Sequence, residues 1–239
     1  MYLCHGNNKR LTIAMDIKRI MCNPLQENCY IVSDESRECV IIDCGAYYDE
    51  ECTAIQRYIT DQQLKPVHLL ATHGHLDHNF GNVFIYKTYG LQPEICEGDK
   101  ELLENLPQHA QELFGMNIPD EQPPIGRLLK NDDIITFGNQ QLRVILTPGH
   151  SHGSAIFYSQ AENVAFSNQR SQCGVAFSGD TLFRMSIGRT DFAEGSWTDM
   201  EQSLHTIAAL LPPDTLILPG HGPQTTLSDE LAHNPYMRF

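Results

Sequence analysis

The chain has 239 residues, 41% of them hydrophobic and 19% charged, enough apolar material for the core of one large domain and too much for a disordered chain. Its formal net charge of -14 argues against nucleic acid or an anionic membrane as an electrostatic partner. No apolar run approaches the roughly 20 residues of a membrane span.

Met1 to Ala14 is polar and irregular and lacks the apolar centre of a signal peptide. Strand character begins at Met15, so residues 1–14 read as an N-terminal extension, either disordered or preceding a natural start at Met15, and 15–239 as one domain. Short strands are predicted at Ile17–Cys22, Cys29–Ser33 and Cys39–Asp43, separated by turn-rich pieces. Tyr48 to Gln63 has apolar residues at helical spacing. The strand Val67–Ala71 follows, then "THGHLDHNFG" at 72–81. Asn82 to Tyr89 and Asp99 to Phe114 read as helices, and a loop with Pro119, Pro123 and Pro124 comes next. Further strands are predicted at Ile134–Phe137, Leu142–Leu146, Ala155–Ser159 and Leu216–Leu218, with a helix over Thr198 to Leu211. "VAFS" occurs at 164–167 and again at 175–178 around a polar "NQRSQCG", and the simplest expectation is a hairpin insertion. Clustered strands with intervening helices point to a layered α+β or α/β domain, and no linker divides it.

The eight cysteines show no CxxC spacing, and a chain of this length needs no disulfide framework. They read as reduced thiols of a cytoplasmic protein.

The chemistry is concentrated at 72–81. His73, His75, Asp77 and His78 fall within six positions directly after a buried strand. Such a run makes no amphipathic face and no sensible core. In an extended segment His73 and His75 point to the same side, where two imidazoles can bind one metal ion. Asp77 and His78 can serve a second ion. Further ligands are offered in similar settings: His150 in "LTPGHSHGS", Asp180 in "FSGDTLF" and His221 in "LPGHG", each after an apolar run with glycine beside it. His68, His109, His152 and His205 lack such settings and read as surface or satisfied core residues.

"THGHLDH" resembles the metal motif T-H-x-H-x-D-H of the metallo-β-lactamase superfamily, and the resemblance continues in order through His150, Asp180 and His221. Within that superfamily the chain is similar to the hydroxyacylglutathione hydrolase (glyoxalase II) group. The strings that carry this are "NPLQENCYIV" at 23–32, "IIDCG" at 41–45, "FSGDTLFRMSIGRTDF" at 177–192 and the terminal "NPYMRF". They look most like the short bacterial members. The resemblance implies an αββα sandwich with metals at one edge. It implies that His73, His75 and His150 hold a first divalent ion, Asp77, His78 and His221 a second, and that Asp180 bridges them. Zinc is expected first; iron and manganese also suit such ligands. A bridging hydroxide would then attack a small-molecule thioester such as S-lactoylglutathione, with Asp77 orienting it. A thiolate leaves readily, since thiols have pKa values of about 8.5. Cys29 and Ser178 lie in family-like strings and read as structural.

The chain departs from full-length glyoxalase II in that only 18 residues follow His221, which leaves no room for the C-terminal helical domain that contributes to glutathione binding. Arg189 in "IGRTDF" falls where the family has a basic substrate-contacting residue; its alternative role is to pair with Asp191 and hold a loop. The stretch 160–174 is longer than the usual turn before "GDTLF" and either flanks the cleft or lies away from it. A rival reading is a glutathione persulfide dioxygenase of the same superfamily, with a single iron on His73, His150 and Asp180. A non-catalytic metal-binding domain is a further alternative. Nothing in the sequence specifies an oligomer.

Overall fold

In the computed structural model the chain is described over residues 15–238 apart from 117, 120, 168 and 172; the expected extension at 1–14 lies outside them. Two sheets face each other. The first runs, in spatial order, Gln169–Ser171, Val164–Phe166, Met15–Cys22, Glu27–Ser33, Glu38–Ile42, Lys65–Leu70, Pro93–Cys96 and Arg127–Leu129. The second runs Thr225–Thr226, Leu216–Pro219, Val175–Gly179, Ala155–Ser159, Gln140–Leu146 and Ile134–Phe137.

Each layer follows from the side-chain alternation of its strands. In Glu27–Ser33, Tyr30 and Val32 face the second sheet, where they share a core with Phe157, Val175, Phe177 and Leu218. Cys29 and Ile31 face the other way, against Ile55 and Ile59 of the helix Asp49–Asp61 and Ile85 of the helix Asn82–Tyr89. With both faces covered, every residue of this strand is buried. In the second sheet Ile145, Ile156, Ala176 and Ile217 turn outward onto Met200, Leu204 and Ile207 of the helix Trp197–Leu210 and Leu227 of the helix Leu227–His233. The expected α+β class and αββα sandwich are therefore found, as a single domain. No described helix is long and apolar enough to cross a membrane.

Two expectations are corrected. The repeated "VAFS" strings do not form one hairpin. Val164–Phe166 pairs in parallel with Met15–Cys22 and antiparallel with Gln169–Ser171, all in the first sheet. Val175–Gly179 lies in the second sheet between Leu216–Pro219 and Ala155–Ser159. The helix expected over Asp99 to Phe114 is two helices, Lys100–Glu104 and Leu106–Phe114, because Pro107 has no N–H to continue the first across Asn105. Two strands of the first sheet, Pro93–Cys96 and Arg127–Leu129, were not expected; at four and three residues they are too short to show a period.

Candidate metal centre

The predicted site residues meet at one edge of the sandwich. The loop 72–81 follows Lys65–Leu70 of the first sheet, and Leu76–His78 form a single 3-10 turn within it. His150, Asp180 and His221 follow Gln140–Leu146, Val175–Gly179 and Leu216–Pro219, three strands of the second. Loops from both sheets thus converge on one point.

His73, His75 and His150 each offer a nitrogen within 4.8 Å of the others, and so do the ligand atoms of Asp77, His78 and His221. His75 Nδ1 lies 2.9 Å from His150 Nε2, and His78 Nε2 lies 3.3 Å from His221 Nε2. Asp180 stands between the trios: Oδ2 is 3.5 Å from His150 Nε2 and 3.7 Å from His221 Nε2, while Oδ1 is 3.3 Å from His78 Nε2. Asp77 Oδ2 is 3.1 Å from His221 Nε2. All seven residues singled out in the sequence are brought together.

The donor set fits metal. Nitrogen lone pairs that face each other at about 3 Å repel unless something positive lies between them, a proton or an ion. His73 Nε2 and Asp180 Oδ1 are buried and have no hydrogen-bond partner in the protein, a costly condition that coordination would relieve. Burial and the neighbouring imidazoles push His73 far below the usual histidine range, and burial together with His150 brings His75 down to about 3. Both are neutral, with lone pairs available. Burial also opposes charge on His78 and His221. In His78 the carboxylates Asp180, Asp77 and Asp43 overcome it and raise the pKa well above normal; in His221 the Asp77 hydrogen bond and Asp180 do so. Burial works against ionisation of Asp180 too, yet the facing imidazoles, His78 first, hold it low.

Residues that were not singled out hold these groups in place. Asp43, in the "IIDCG" string, accepts from the Thr72 N–H and hydroxyl, each at 2.7 Å, and from His78 Nδ1 at 3.1 Å. Asp99 accepts from the Gly74 N–H at 2.8 Å, the Gly153 N–H at 2.6 Å and the Ser151 hydroxyl at 2.6 Å. It thereby ties the loop of His73 and His75 to the loop of His150. Removing it would strand two buried N–H groups, at about 1–3 kcal/mol each. Asn79 Nδ2 donates to the carbonyls of His73 and His75, and Asn23 Nδ2 to those of Gly45 and Asp77. The Arg189 carbonyl accepts from His150 Nδ1 at 2.8 Å, which leaves Nε2 as the free lone pair toward the cluster. Gly220 allows close approach: a Cβ there would collide with Asp180 Oδ1 and the His78 ring. Single acids and amides beside turns carry no spacing signal, so sequence patterns do not expose them.

Glu27, Asp43 and His78 form a further, fully buried group. Neither carboxyl oxygen of Glu27 has a hydrogen-bond partner, and burial raises its pKa well above the usual range. Burial and the neighbouring Asp43 and Asp77 thus work against charge on Glu27.

A cavity of about 500 Å³ opens over the cluster, walled by Leu25, Leu76, Leu102, Phe183 and Phe192. Arg189 and Glu194 are at its wall. Arg189 is exposed and binds Asp191 through Nε at 2.6 Å and Nη2 at 2.8 Å, with its guanidinium 4.1 Å from the centre of the Phe192 ring. The loop-holding pairing is the one present. His109, read from sequence as an ordinary histidine, also lines this cavity. None of the described residues of 160–174 lines it; their strands lie at one border of the first sheet.

The family model of the metallo-beta-lactamase superfamily matches residues 22–168. The hydroxyacylglutathione hydrolase GloC of Haemophilus influenzae is 33% identical over 93% of this chain and 98% of its own. Among solved structures, the BLEG-1 B3 metallo-beta-lactamase is 34% identical with a TM-score of 0.80, over 93% of this chain and 100% of that one. TTHA1623, solved in a di-iron-bound form, is 32% identical with a TM-score of 0.76, over 92% and 99%.

Proposed function

Because the chain belongs to the metallo-beta-lactamase superfamily, we propose that it is a metal-dependent hydrolase of thioesters of the S-lactoylglutathione type. The observation that carries this reading is the pair of trios sharing Asp180 at the floor of an apolar-walled cavity. His73, His75 and His150 would hold one divalent ion, Asp77, His78 and His221 the other, with Asp180 between them. Zinc is the first choice, and iron or manganese suits the same donors. Bound divalent ions supply Lewis acidity toward the carbonyl and make a water nucleophilic near neutral pH.

The chain's own groups do the rest. Asp77, which lines the cavity, would orient the attacking oxygen toward the acyl carbon. The leucine and phenylalanine walls hold the substrate and exclude bulk water. No serine, threonine or cysteine lines the cavity among the described residues, which favours water as nucleophile over a covalent intermediate. The departing thiolate needs no strong acid. Arg189 shapes the wall through Asp191 and Phe192. None of the described cysteines is in a disulfide, as suits a cytoplasmic protein.

A single-iron oxygenase would use His73, His150 and Asp180, which are all present. The second trio is complete as well, as the two-ion hydrolase requires, and the metal count separates the two readings. Elemental analysis of protein purified without added metal, followed by a thioester assay, tests the choice. Two ions per chain with thioester cleavage supports the hydrolase; one iron with persulfide-dependent oxygen uptake overturns it.

A further inference from the structure

The main cavity does not stop at the His/Asp cluster. Leu102, His109 and Glu194 also line an adjoining cavity of about 270 Å³, which Glu101, Asn105 and His152 help to enclose. No lysine or arginine lines this second cavity among the described residues, whereas two glutamates do. Arg189, the one lysine or arginine at the wall of the main cavity among the described residues, already has both faces of its fork on the Asp191 carboxylate. A substrate carboxylate arriving there would only replace one that is present. Among the described residues Glu194 has no lysine or arginine within 4.0 Å; His75 Nε2 lies 3.9 Å from it. Its carboxylate is partly exposed, at 24%, and open to a ligand at the junction of the two cavities.

We propose that the second cavity receives the thiol half of the substrate, and that Glu194 and Glu101 select a thiol bearing an ammonium group over one whose only charged group is a carboxylate. This rests on the thioester reading for the chemistry, although the charge selection itself is a matter of binding. Two like charges brought close repel, and two opposite charges attract, by amounts that solvent exposure moderates. The surrounding acidity of the chain, at -14 overall, acts in the same direction at long range.

The test uses S-ethyl thioethers of three thiols: thiocholine, its neutral tert-butyl isostere and mercaptopropionate. Their binding to the metal-loaded full chain is measured by calorimetry at low salt. The expected order of affinity is thiocholine, then the isostere, then mercaptopropionate, each step about two- to fivefold, as for partly exposed charge pairs. Glu194→Gln should bring the first and last closer together by about two- to fivefold, and so, separately, should Glu101→Gln, which lies away from His75. Raising the salt should shrink the same ratio. A carboxylate that binds as tightly as the quaternary ammonium, or a ratio unmoved in both variants, overturns the proposal. The acetyl thioesters of the same thiols test the reaction on its own. If the thioethers sort by charge and no thioester is cleaved, the hydrolase reading fails and the charge selection stands.

Discussion

Asp43 Oδ2 lies 3.1 Å from His78 Nδ1, with both side chains essentially buried. The carboxylate accepts the Nδ1 proton, so the atom of His78 left to face a metal is the Nε2 toward His221 and Asp180. Asp43 thus decides which way His78 can bind. Asp43→Ala should weaken metal affinity at the His78 trio by about 10–100-fold, the usual effect of losing such a partner. A chelator competition titration reads this directly. Unchanged affinity for both ions would show that His78 needs no such support.

Asp180 touches both trios, whereas His152 is two residues from His150 and outside all of the groups within 4.8 Å. Asp180→Ala should lower the metal content and abolish turnover. His152→Ala should leave metal content at the wild-type level. Full activity and normal metal in the first variant would sink the two-ion arrangement; a lost metal equivalent in the second would make His152 the ligand in place of His150.

Arg189 is committed to Asp191 on the outside and to His150 through its backbone carbonyl. Replacing its side chain keeps the carbonyl. Arg189→Ala should therefore change KM by similar small factors for carboxylate-bearing and neutral thioesters, since an exposed ion pair is weak in water. A selective rise in KM for the carboxylate-bearing substrates would instead assign the guanidinium to substrate binding.

Far from the cluster, His68 Nδ1 meets Glu94 Oε1 at 2.5 Å. The hydrogen bond to Glu94 raises the His68 pKa above its ordinary value, against the opposing effect of burial. A histidine whose pKa is higher in the folded than in the unfolded chain contributes stability below the unfolded value, and that contribution is lost as pH rises through the folded value. Glu94→Gln should then cost more stability at pH 6 than at pH 8.5, because its pairing with Arg127 does not titrate in that window. Urea unfolding of both proteins at the two pH values measures the difference, and an equal cost at both would exclude the linkage.

The parts of the fold visible in the sequence are those with a strong local signature. The strand Ile134–Phe137 and the helix Asn82–Tyr89 appear at their predicted bounds, because alternation and helical spacing are local properties. The cluster at 73–78 is visible because imidazoles so closely spaced have no place in a core. Sheet membership is not local: nothing in "VAFS" tells the copy at 164 from the copy at 175, and tertiary pairing sends them to opposite sheets. The supports of the site are hidden for a similar reason. Asp99 is 26 residues from His73 and works only because a loop folds back on it, and Asp43 looks like any acid that ends a strand.

Val164–Phe166 lies alongside the first described strand, Met15–Cys22, with Gln169–Ser171 beyond it. The chain leaves the second sheet after Ala155–Ser159, visits the first, and returns at Val175–Gly179. Met15–Cys22 is therefore an interior strand at its start, where Asp16 and Ile17 have a strand on either side. A row of unpaired backbone groups on a flat border is a template for joining another chain. The detour through Val164–Phe166 and Gln169–Ser171 has the effect of a hem: it replaces the start of a long border strand with one of three residues, too short to serve as much of a template.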